Sequence, residues 1–170
     1  MLPVVVPLAA LVFLALLWHL RRRDRLTVPR AAVALALCVY AAGVVANTVF
    51  PIFLDMPESE PSWKVYFGLV HGYDVSDALM NVLVFAPVGV IVPLLLARAT
   101  WWRVLAVAAA FSLAIELTQF LTGNLLGGGH LTDVNDLFFN VVGAALGFGF
   151  LSLVSLVPGV PALLDRFRWN

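Results

Sequence analysis

Apolar residues gather into five runs, at roughly 2–20, 31–54, 79–97, 104–122 and 137–157. Each is near the ~20 residues that a helix needs to cross the hydrocarbon core of a bilayer. The pattern predicts an all-α polytopic membrane bundle of five helices, with residues 1–170 forming one membrane domain and almost nothing left for a soluble one. The polar residues inside these runs follow helical spacing. In the third run, "SDALMNVLVFAPVGVIVPLLL", Asp77 stacks over Asn81 at i, i+4. In the fourth, "AVAAAFSLAIELTQFLTG", Ser112, Glu116, Gln119 and Gly123 recur at spacings of 4, 3 and 4 and form one polar stripe. Asp133, Asp136, Asn140, Gly143 and Gly147 do the same at 3, 4, 3 and 4 along the fifth. The lower part of that last stripe, Gly143 and Gly147, is a G-x-x-x-G pair suited to close helix packing.

Composition narrows the class further. With 62% hydrophobic residues, 12% charged and a mean hydropathy of +1.00, the chain carries far too much apolar surface for a water-soluble domain. The basic cluster Arg21–Arg23 and Arg25 follows the first run instead of preceding it, so that run reads as a retained helix and not as a cleaved leader. Cys38 is alone and lies within the second run, which excludes a disulfide framework and reads as a small packed side chain. No nucleotide-binding fingerprint, nucleic-acid patch or internal repeat stands out.

Charge sets an expected orientation. Arg21, Arg22, Arg23, Arg25 and Arg30, then Arg98 and Arg103, then Arg166 and Arg168 all fall on one side of a five-span bundle, and only Lys64 falls on the other. The positive-inside rule puts the N-terminus outside and the C-terminus in the cytoplasm. Asp55, Glu58, Glu60, Asp74, Asp77, Asp133 and Asp136 then lie on or beside the outer segments. Trp101 and Trp102 beside Arg103, and Trp169, read as interfacial anchors, and His19 as an interfacial residue.

On this orientation Asn81, Glu116 with Gln119, and Asn140 each sit about one to two turns below the outer surface at 1.5 Å rise per residue, with Asn47 and Thr48 near the same level. A charged side chain facing lipid costs about 2.5–3.5 kcal/mol on insertion scales, so such groups turn inward and find partners. An outward polar pocket formed by Asp77, Asn81, Glu116, Gln119, Asp133, Asp136 and Asn140 is expected, with His71 and His130 as candidate partners for the acids.

The segments "DALMNVLVFAPVG", "AIELTQFLTG" and "TDVNDLFFNVVGAALG", in this order, resemble the VanZ-like family of bacterial membrane proteins. The resemblance covers about 71–150, the VanZ-like core, and rests on Asp77, Asn81, Pro87 and Gly89, on Glu116 and Gln119, and on Asp133, Asp136, Asn140 and Gly143. It implies a multi-pass protein of the bacterial cytoplasmic membrane, linked to glycopeptide (teicoplanin) resistance, without implying a particular reaction. The loop "NLLGGGHLTD" departs from the family pattern by carrying His130 and three glycines where an Arg often precedes the Asp.

Three functions fit these residues. The pocket can hold the polar headgroup of an envelope lipid or cell-wall precursor, because carboxylates and amides suit amines, hydroxyls and amides better than bare phosphate. It can act as an enzyme on a lipid-linked substrate, with the carboxylates binding Mg²⁺ or Ca²⁺ through oxygen ligands. "DVNDLFFN" is nevertheless no EF-hand, since it lacks the glycine at position six and the closing Glu. The third option is a scaffold that assembles through "GAALG".

Overall fold

A computed structural model describes residues 2–48, 65–66, 68, 72–125 and 132–169. The chain forms α1 (Leu2–Arg22), α2 (Val28–Thr48), a two-residue strand β1 (Val65–Tyr66), α3 (Val75–Leu95), α4 (Trp101–Leu125), β2 (Thr132–Asp133), α5 (Val134–Val154) and α6 (Val160–Phe167). The architecture is all-α. Among the described residues, five of the six helices are long and apolar enough to cross a membrane.

The expected spans and the helices differ mainly at their ends. α3 and α5 both begin a few residues before their apolar runs because an aspartate caps each of them. The Asp74 carboxylate accepts from the Ser76 N–H at 2.7 Å and the Asp133 carboxylate from the Asn135 N–H at 2.8 Å. Each satisfies an amide that the first turn leaves without an intrahelical partner. The Ser76 hydrogen bonds also hold the Asp74 carboxyl below its usual range.

The two entrances repeat one sequence. Asp74-Val75-Ser76-Asp77 with Asn81-Val82 matches Asp133-Val134-Asn135-Asp136 with Asn140-Val141. The chain therefore does carry a short internal repeat, which its apolar background hides in a sequence reading.

At the other end, α1 stops in a Schellman turn. Arg25 N–H reaches Leu20 O at 2.9 Å and Asp24 N–H reaches Arg21 O at 3.0 Å. Asp24 takes the left-handed position at φ 54°, a conformation that Asp and Asn tolerate better than most side chains. The short amphipathic α6 was not expected from hydropathy. It follows Gly159, at φ 86°, and returns the tail to the base of the bundle. There Trp169 N–H donates to Leu94 O at 2.9 Å, Arg25 donates to Trp169 O at 2.8 Å and Arg30 to Arg168 O at 2.7 Å. Trp169 is thus tied into the bundle, whereas Trp101 and Trp102 remain exposed.

The centre of the molecule is the contact of α3 with α5. Gly143 and Gly147 lie against the backbone of Val82 and Ala86, and Gly89 against that of Ala144 and Phe148. The G-x-x-x-G face is covered within the chain, so the scaffold reading loses the surface it needs. Phe85, Val88, Ala108 and Ala144 form the adjoining core, with Tyr40, Phe111 and Ile115 packed on it. α1 pairs with α2, and α2 touches α3 and α4 more sparsely. Cys38 is buried and unbonded.

Candidate functional site

The capped ends of α3 and α5, the last turns of α4 and the end of α2 meet around two adjoining cavities. The larger, 540 Å³, is lined at its polar end by Asn81, Glu116, Gln119, Asp136 and Asn140. The smaller, 330 Å³, is lined by Tyr73, Asp77, Met80, Asn81, Asp133 and Asp136. All seven residues expected at the pocket therefore line one cavity or the other, although their roles differ.

Asp136 is the acceptor at the centre of the first cluster. Tyr73 donates its hydroxyl to Asp136 Oδ1, and Asn81 Nδ2 donates to the same oxygen at 2.6 Å and to Tyr73 Oη at 2.7 Å. The Tyr73 ring stacks on Phe139 at 5.3 Å, which fixes the direction of its hydroxyl. Burial, and next the hydrogen bond to Asp136, raise the Tyr73 phenol above its ordinary value, so it remains a neutral donor. Tyr73→Phe should cost about 1.5–3 kcal/mol by removing one donor from a charged acceptor. Thermal unfolding in micelles checks this, and an unchanged melting curve would show the contact to be idle.

The second cluster is deeper. Asn140 is 3% exposed and donates Nδ2 to Ser112 Oγ at 2.9 Å, and Ser112 is fully buried. Glu116, 5% exposed, is one turn along α4 from Ser112. Among the described residues, Glu116 Oε2 and Asn140 Oδ1 have no hydrogen-bond partner. Two side chains on different helices thus leave acceptors unpaired where water is scarce, an arrangement that costs free energy unless something donates to them.

Asp133 works chiefly as a cap, and Asn135 supports it. The fully buried Asn135 donates Nδ2 to Asp133 Oδ1 at 2.8 Å and to Gly68 O at 2.9 Å. Next to it Val65 and Tyr66 pair in parallel with Thr132 and Asp133. Together these contacts hold the segment before α3 against the entrance of α5. Asp77 stays exposed at the rim. Asn47 donates to Gly43 O at 2.7 Å and lines the larger cavity. The side chain of Thr48, residues 49–64 with Asp55, Glu58, Glu60 and Lys64, His71, and the glycines 127–129 with His130 lie outside the described residues.

Sequence reasoning missed Tyr73 and Asn135. Tyr73 carried no periodicity signal because it precedes α3. Asn135 was marked only by its place between Asp133 and Asp136. Among the described residues, no three His, Cys, Asp or Glu side chains converge well enough to hold a metal ion. The four carboxylates considered for Mg²⁺ or Ca²⁺ are instead divided among a cap, a rim, a hydrogen-bond hub and a buried acceptor.

A family model described as VanZ/LLP1 matches residues 8–155. The chain belongs to the VanZ/LLP1 family. The match runs from α1 to just past α5, so the VanZ/LLP1 pattern also includes the two helices that the quoted motifs leave out. Together with the five apolar helices, it makes the protein a multi-pass membrane protein. No curated protein and no solved structure matches the chain.

Proposed function

We propose that this VanZ/LLP1 protein binds the polar headgroup of an envelope lipid or lipid-linked cell-wall precursor in the cavity between α2, α3, α4 and α5. The observation that carries this reading is the amphipathic cavity itself. Its polar end is lined by Asn81, Glu116, Asp136 and Asn140, and its remaining wall by aliphatic residues including Val39, Leu83 and Ile115. Val39 and Leu83, on α2 and α3, are 64% and 65% exposed, which favours a mouth opening sideways towards lipid. A headgroup would sit among the carboxylates and amides while its chain left along that wall. A volume of 540 Å³ suits an organic headgroup better than a lone ion.

The side of the membrane follows from charge. Arg25 and Arg30 meet the tail at the Leu94 end of α3, whereas Asn81 is near the opposite end. With the arginines in the cytoplasm, the N-terminus lies outside and the cavity faces the outer leaflet of the bacterial cytoplasmic membrane. Residues 1–170 act as one membrane domain on this reading, with 71–150 carrying most of the pocket. A bound headgroup would be masked or moved from the reach of a lipophilic glycopeptide, the route by which the teicoplanin resistance implied by the family resemblance would arise.

Native mass spectrometry of gently purified protein tests the reading. Wild type should retain a lipid-sized adduct that Glu116→Gln loses while staying folded. Equal retention by both, or by neither, would overturn it.

A further inference from the structure

We propose that the group seated between Glu116 and Asn140 is a primary ammonium, so that the amphiphile taken up is one whose headgroup carries a free amine. The inference rests on the headgroup-binding reading above and narrows it to a chemical class.

Among the described residues, three buried polar atoms on the cavity wall lack partners, Glu116 Oε2, Asn140 Oδ1 and the Tyr40 hydroxyl. Asn140 Nδ2 donates to Ser112 Oγ, at 2.9 Å, and its Oδ1 is open. Glu116 Oε2 is open as well. Beside them Asn81 Nδ2 serves Asp136 and Tyr73, and Tyr73 serves Asp136. Glu116 Oε2 and Asn140 Oδ1 are both acceptors, and each belongs to a side chain more than nine-tenths buried at the cavity wall. The wall holds two carboxylates, Glu116 and Asp136, and among the described residues no Lys, Arg or His.

Candidate headgroups can be compared against that inventory. A bare phosphate or carboxylate brings acceptors to acceptors and negative charge to negative charge. A hydroxyl supplies one donor and leaves the charge uncompensated. A primary ammonium supplies three N–H donors and a positive charge on a compact centre, which meets both deficits together. A quaternary ammonium has no N–H and depends on aromatic faces. The aromatic residues lining this cavity are Tyr40 and Phe85, and Phe85 is 1% exposed and turned towards Phe111 at 5.5 Å.

The experiment is a headgroup series on the full chain in micelles, read by native mass spectrometry with lipids of identical acyl chains. The probes are phosphatidylethanolamine, its mono- and dimethyl forms, phosphatidylcholine and phosphatidylglycerol. Phosphatidylethanolamine should be preferred over phosphatidylcholine and phosphatidylglycerol by at least about tenfold, the scale of one charge-assisted hydrogen bond. Affinity should fall with each added methyl group, and Glu116→Gln should abolish the preference.

A second titration separates the sources of the amine. It compares a polyprenyl diphosphate bearing a lysine-ended peptide with its Nε-acetylated form. Tighter binding of the free amine here than of phosphatidylethanolamine assigns the site to a precursor, and the reverse order to a membrane phospholipid. Either order supports an ammonium site. Equal binding of all headgroups, or tighter binding of phosphatidylglycerol, overturns the ammonium assignment while leaving headgroup binding intact. Retention of no lipid in any arm overturns both. Because the series is read on wild type, the outcome does not depend on how well the variant folds.

Discussion

Gly147→Ala is expected to be among the most damaging single-methyl changes in this protein. A Cβ at Gly147 would stand 2.0 Å from Ala86 O and 2.9 Å from Ala86 C. At Gly89 it would meet Ala144 O at 2.1 Å, and at Gly143 Val82 O at 2.3 Å. All three obstacles are backbone atoms of a facing helix, which cannot rotate away as a side-chain tip can. α3 and α5 would have to separate along their whole contact, giving up the close packing that holds membrane helices together when water provides no drive. The expected loss is about 3 kcal/mol, at the upper end of the range for overpacking.

Gly149→Ala provides the comparison. Nothing lies within 4 Å of a Cβ at that position, also on α5, so alanine should be neutral or stabilising there by up to ~1 kcal/mol through helix propensity. Unfolding of the two variants in mixed micelles checks the prediction. If Gly147→Ala and Gly149→Ala unfold alike, the intimate approach of α3 and α5 is wrong.

The second large effect is expected at Asp136. Asp136→Ala removes one acceptor and strands two donors, the Tyr73 hydroxyl and the Asn81 amide, at the edge of a low-dielectric region. With about 1–3 kcal/mol for each polar group left unsatisfied, a loss of about 2–4 kcal/mol follows, and the entrances of α3 and α5 lose their link. Asp136→Asn keeps an acceptor oxygen in the same place and should cost much less. A double-mutant cycle with Tyr73→Phe isolates the contact: the effects should be clearly less than additive, because each change removes the same hydrogen bond. Additive effects would mean that the Tyr73–Asp136 contact contributes nothing.

The two predictions concern different kinds of information. The Gly147 result depends on shape, and a G-x-x-x-G pair already marks a surface for close approach. It does not say which helix approaches. The Asp136 result depends on pairing, and the sequence puts four acids, Asp77, Glu116, Asp133 and Asp136, into the expected pocket with nothing to distinguish their tasks. Asp133 and Asp136 differ by three positions, yet one caps α5 through the Asn135 N–H while the other collects donors from α3 and Tyr73. The repeat of Asp-Val-x-Asp-x-x-x-Asn-Val at 74–82 and 133–141 would lead one to expect equal behaviour at both entrances. Instead Asn81 binds Asp136, whereas Asn140 binds Ser112 and leaves its oxygen open. The difference comes from α4, which supplies a hydroxyl to one copy and not to the other.

The sequence by itself determined the five apolar helices and the level of the polar residues within them. Both depend on one-dimensional quantities: the ~20 residues of apolar chain that a bilayer requires, and the 3.6-residue period that stacks side chains on one face. It did not reveal the early starts of α3 and α5, because capping aspartates are polar and fall outside a hydropathy window. It also missed α6, whose polar face lowers its mean hydropathy, and the β1–β2 bridge, which joins residues far apart in the chain. Only the tertiary structure decided that α5 packs its glycines on α3 and that α2 closes one side of the cavity. Only it, too, left Glu116 and Asn140 with unpaired oxygens. Those facts depend on which donors reach which acceptors across helices, and such distances are set by packing in three dimensions, which periodicity along one helix does not encode.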